Sequence, residues 1–145
     1  MAEALYNTQI LRLATSIPHQ ARLAHPQGMS ERRSPVCGSR VTVDVVLDAE
    51  GRIAELGQDV RACALGQASA SLMGAHAIGR NLPELEGARD ALTAFLAGER
   101  DDPGSWPGLD IFGPARAHSA RHASIRLAFE AVAEAAARAA SAQAA

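Results

Sequence analysis

Residues 40–71, RVTVDVVLDAEGRIAELGQDVRACALGQASAS, constrain the fold more than any other stretch. Val41, Val43, Val45 and Leu47 alternate with Thr42, Asp44, Val46 and Asp48. A period of two means a strand with one buried face, and it sends Asp44 to the solvated side. Residues 48–51, DAEG, read as a hairpin turn in which Gly51 is free to take positive φ. Residues 52–61 return as a second long strand, expected to be interrupted near Gly57. From Ala64 to Ile78 the period becomes helical, with Leu65, Ala68, Leu72 and Ala75 as the apolar stripe.

The flanking segments add helices. Residues 3–16 read as an amphipathic helix carrying Leu5, Ile10, Leu11, Leu13 and Ala14, ended by Pro18. Residues 17–31 form a loop that leads into a short first strand. Asn81, Pro83 and Glu84 are an N-terminal capping pattern for a helix whose stripe is Leu85, Ala88, Leu92 and Phe95. Residues 99–110 are rich in turn formers, and Trp106 there is either a core cap or a contact anchor. Residues 119–140 form a long Ala-rich helix with His122, Ile125, Phe129 and Val132 on one face, and the tail from about 138 to 145 is expected to fray. Aromatics are 3% of the chain, so small aliphatic side chains fill the core and helices and sheet must approach closely. The expected class is α/β in the α+β sense. One domain over residues 1–145 holds a small three-stranded antiparallel sheet, covered by four to five helices.

The net charge of −2 comes from 16 acidic residues against 14 basic ones, all arginine. That balance argues against a nucleic-acid partner. No stretch is long and apolar enough to span a bilayer, and the N-terminus has no signal-peptide pattern, so a cytoplasmic location is expected. Arg32 and Arg33 could meet an acidic partner, though a solvated edge is the simpler reading. In a reducing compartment two cysteines read as free thiols or ligands rather than a disulfide. Cys37 sits in a Pro-Val-Cys-Gly loop before the first long strand, and Cys63 where a strand hands over to a helix. Amides at a helix start favour a thiolate there, and Arg61 adds to this. Two such thiols suit a soft metal or sulfur acceptance, whereas the plainer reading makes each a small buried hydrophobe.

SPVCGSRVTVDVVLDAEGRI followed by VRACALGQASASLMGAHAIGR resembles the iron–sulfur cluster assembly scaffold family that includes the NifU N-terminal domain and the IscU and SufU types. The resemblance runs from about Leu5 to Phe129. It implies an α/β sandwich with a three-stranded antiparallel sheet, transient assembly of an iron–sulfur cluster or a zinc-dependent sulfur-acceptor variant, a cysteine desulfurase as partner, and apo-proteins as recipients. Cys37 and Cys63 match the first two cysteine ligands. Ser39 falls where the family has an aspartate, and Ser124 where it has a third cysteine. Serine is a hard, poor ligand for iron or zinc beside thiolate.

His118 and His122 are four apart and in a helix would share a face. Two Cys and two His would satisfy zinc. His122, nearer Ser124, is the candidate metal ligand beside Cys37 and Cys63, and its apolar stripe equally makes it a core histidine. His76 reads as structural. The expected molecule is thus a scaffold or carrier rather than an enzyme, a monomer or weak homo-oligomer. It binds iron, zinc or a labile cluster through Cys37 and Cys63. The alternatives are a metal-free binding module of the assembly machinery and a zinc-dependent sulfurtransferase.

Overall fold

The computed structural model describes residues 5–35 and 38–144. Strands β1 (Gly28–Arg33), β2 (Arg40–Leu47) and β3 (Ile53–Arg61) form one antiparallel sheet in the order β1-β2-β3. Helices α1 (Thr8–Ala14), α2 (Ala64–His76), α3 (Leu82–Leu96) and α4 (His122–Ala144) complete the fold, α4 packing on β1 and β2, α1 on α2 and α3 on α4, with 3-10 segments at Leu109–Ala117 and Ser119–Arg121. The class is α+β with a three-stranded antiparallel sheet, as the sequence predicts. Gly51 takes φ +79°, and Asp48 accepts hydrogen bonds from the amides of Glu50 and Arg52, closing the expected hairpin. The Asn81–Glu84 capping box is formed, with Pro83 in the first turn of α3.

No described helix is long and apolar enough to cross a membrane. The core face of the sheet carries Val41, Val43 and Val45, all fully buried, against α2 and α4. Alanine does much of the filling: Ala128, Ala131, Ala133, Ala135, Ala136 and Ala139 on α4 are all buried. At Gly28 a Cβ would lie 2.1 Å from Ala135 O, so α4 rests almost backbone to backbone on β1. Trp106 caps this layer. It is buried, donates Nε1–H to Leu72 O at 2.9 Å, and meets Phe129 edge to face at 5.2 Å.

Several expectations fail for identifiable reasons. Asp44 is fully buried rather than solvated. The segment around Ala21–Leu23 folds across the second face of the sheet, where Arg22 donates from Nε and Nη2 to the two Asp44 oxygens at 2.6 and 3.0 Å and Leu23 N donates at 3.0 Å. Gly57 does not interrupt β3. It pairs with Asp44, and its missing side chain makes room for Ala21 O, which would sit 2.4 Å from a Cβ there. The irregularity falls instead opposite Val46 and Leu47. The first strand begins at Gly28, earlier than the loop reading allows.

α1 begins at Thr8 behind an Asn7 cap, and it buries Ile10 while leaving Leu11 exposed. Ala75 on α2 is exposed. The tail from 138 stays helical to Ala144: Arg138 donates to Met29 O at 2.8 Å, and Gln143 donates to Asp48 O at 2.9 Å. Arg32 and Arg33 are both ion-paired, Arg32 with Glu130 and Glu134, and Arg33 with Glu31.

Removing the Asp44 carboxylate leaves Arg22 able to return to water but strips Leu23 N of its partner. Asp44→Ala is therefore expected to cost about 2 kcal/mol in urea denaturation. A second link ties β1 to α4. The Ser30 hydroxyl donates to the Glu134 carboxylate and, with the nearby Arg138 and Arg32 charges, holds its pKa below the usual carboxylate range. A depressed folded pKa means stability that is present above the unfolded value and lost as pH falls through the folded one. Ser30→Ala should raise the Glu134 pKa in an NMR titration and flatten that acid-limb dependence.

Candidate metal and sulfur site

The turn between β3 and α2 delivers the first functional side chain. Cys63 has extended backbone, φ −66° and ψ 170°, and precedes the first residue of α2. Its carbonyl accepts from Gln67 N, but its side chain does not cap the helix. The thiol turns instead toward the first turn of α4, where Ser124 Oγ lies 3.1 Å from Cys63 Sγ. Ser124 Oγ is also 3.4 Å from Ser39 Oγ, at the entrance to β2. Three segments far apart in sequence thus converge in one hydrogen-bonded chain, Cys63–Ser124–Ser39. The two serines are 1% and 3% exposed, while Cys63 is half-buried and reachable from outside.

Cys37 lies, with Val36, outside the described residues. The flanks of its loop are described. Ser34 N donates to Ser39 O at 2.9 Å and Gly38 N to Ser34 O at 3.1 Å, so the β1–β2 ladder extends to the loop's base. Gly38 has φ +72°, in the left-handed region that favours glycine.

The histidines are placed differently from the thiol. His122 is buried, and its Nε2 is 2.8 Å from Ala115 O; a carbonyl only accepts, so Nε2 carries the proton. His118 is exposed at the end of the first 3-10 segment and does not share a helix with His122. His76 meets Trp106 edge to face at 6.3 Å, a structural contact. Among the described residues no three His, Cys, Asp or Glu side chains gather to hold a metal ion. Among the described residues, the corner offers one soft, reachable sulfur beside two hard hydroxyls.

Gly66, one turn into α2, escapes the sequence reading. A Cβ there would lie 2.6 Å from Ser124 Oγ and 2.8 Å from Ala62 Cβ, so its bare backbone lets α4 bring Ser124 to the thiol. A small residue three positions after Cys63 is the only local signal, and in an Ala- and Ser-rich helix it does not stand out.

The family model for the NifU-like N-terminal domain matches residues 5–101, and the chain belongs to that family. The crystal structure of a nitrogen-fixing NifU-like protein (N-terminal) from Brucella abortus is similar at 36% identity and a TM-score of 0.88, over 94% of this chain and 95% of that one. An iron–sulfur cluster assembly scaffold protein for the SUF system from Fervidobacterium islandicum AW-1 shares the fold at 18% identity and a TM-score of 0.83, over 91% of this chain and 96% of that one. No curated protein matches the chain.

Filling the Gly66 gap should open the corner. Gly66→Ala is expected to cost about 1–3 kcal/mol in thermal or urea denaturation. In a Cys37→Ser background it should also speed alkylation of Cys63, because Ser124 no longer sits against the sulfur.

Proposed function

We propose that this chain is an iron–sulfur cluster assembly scaffold that gathers iron and sulfur at Cys37 and Cys63 and hands the product to recipient apo-proteins. The observation that supports it is the convergence of Cys63, Ser124 and Ser39 within 3.1 and 3.4 Å of one another along the chain of contacts. Those are the positions at which the resemblance sets a second cysteine, a third cysteine and an aspartate, although nothing local in the sequence links them. Sulfur would come from a cysteine desulfurase. The Cys63 thiolate attacks the outer sulfur of the donor's persulfide, a new S–S bond forms on Cys63, the donor's S–S bond breaks, and the donor leaves as thiolate. Conversion of that sulfur to sulfide takes two electrons from an external reductant, a requirement of the chemistry rather than of this chain.

The two serines favour a second reading, a metal-free module that keeps the fold and docks on the assembly machinery. Anaerobic loading with iron and sulfide separates the two. The scaffold should develop the visible absorbance of a sulfide-bridged iron cluster, and Cys63→Ser should abolish it while leaving the denaturation midpoint nearly unchanged. A wild-type chain that stays colourless would establish the metal-free module.

A further inference from the structure

We infer that one end of the sheet's outer face is a docking surface for a short acidic segment of another protein. The inference holds whether or not the chain carries a cluster. Strand register builds the surface. Arg33 pairs with Arg40 and Arg40 with Arg61, so three arginines stand in one row across the sheet. Val41, Val43 and Val45 face the core, which puts this row on the opposite face. The next row inward on that face is Glu31, Thr42 and Asp59. Three guanidiniums thus share two carboxylates, and the sharing is loose. Arg33 donates from Nε to Glu31 at 2.9 Å. Arg40 stands 3.9 Å from both Glu31 and Asp59, and Arg61 stands 3.6 Å from Asp59, beyond hydrogen-bond range. Arg40 Nε is buried without a hydrogen-bond partner, while the side chains of Arg33 and Arg61 are 65% and 69% exposed. On a chain of net charge −2 this row is a local excess of positive charge.

Charge complementarity selects the occupant. Guanidinium forks match carboxylates through two parallel N–H···O bonds, so the row fits acidic side chains. The acidic row directly behind it limits how far a negative partner can extend along the strands. A long polyanion such as nucleic acid would run over Glu31 and Asp59 and be repelled, whereas a short acidic turn or strand end would not. The existing ion pairs are weak and open to solvent, so exchanging them for a partner's carboxylates gives up little. The position of the row supplies its use. Arg61 lies two residues before Cys63 and Arg40 directly follows Ser39. A protein held on the row is therefore brought to the edge of the Cys63–Ser124–Ser39 chain.

The test titrates the 15N-labelled full chain with a tri-glutamate peptide blocked at both ends, uses the matching tri-glutamine peptide as control, and follows the amide shifts. With tri-glutamate the shifts should concentrate at residues 31–33, 40–42 and 59–61 and fade as salt rises from about 20 to about 200 mM. Tri-glutamine should produce none. Arg33→Glu/Arg61→Glu should weaken binding about tenfold, and the milder Arg33→Gln/Arg61→Gln, which adds no charge beside Glu31 and Asp59, about threefold. Shifts scattered over the chain, no binding at low salt, or equal binding by wild type and both variants would overturn the inference. Tighter binding of a single-stranded oligonucleotide of equal charge would overturn it too. So would self-association of the wild type that both variants abolish, which makes a second copy the occupant. The scaffold reading is decided separately by iron and sulfide loading, so the two failures are distinguishable.

Discussion

The close approach of α4 to the sheet at Gly28 and to α2 at Gly66 is the constraint on which the rest depends. At Gly28 the backbone of α4 touches β1, and at Gly66 the start of α4 touches α2. Any side chain at either glycine would drive the helix off its bed, because interiors at crystal-like density have no slack to absorb the displacement. The alanines of α4 extend this close contact along its length. Through that seating the first turn of α4 brings Ser124 to the thiol at the mouth of α2, and the corner exists only while the long helix is held down.

Much of this architecture is legible in the chain because it rests on local rules. The alternation at 41–48, the Asp48–Gly51 turn and the Asn81–Glu84 cap each concern neighbours in sequence, and each appears in the fold. The scarcity of aromatics likewise translates into close alanine contacts. What is not legible involves pairs separated by long stretches. Asp44 looks solvated by its period, yet Arg22 crosses over it from a loop with no pattern of its own. Gly57 reads as a break because glycine usually weakens strands, whereas here its missing side chain is used by another segment passing above. Ser39 and Ser124 are singled out only through resemblance, and their proximity to Cys63 is a property of three elements meeting. For His122 the sequence leaves two readings, ligand or core histidine, and in the fold its ring is buried with Nε2 turned to the Ala115 carbonyl.

The chemistry at the corner differs in softness from a four-ligand site built by one chain. Among the described residues a single thiol, Cys63, stands at the corner, flanked by the buried hydroxyls of Ser39 and Ser124, which are poor ligands for soft ions. For a permanent metal centre that would be a defect. On the proposed scaffold reading, weak holding would keep the barrier to transfer low.

The tryptophan beneath the 99–110 loop has a practical consequence. The chain contains a single indole, and it touches α2 through Leu72, α4 through Phe129 and the Arg80 guanidinium 4.9 Å above its ring. Its fluorescence therefore reports on the seam between those two helices. An emission change on adding iron or a second protein would report a change in the packing around that indole.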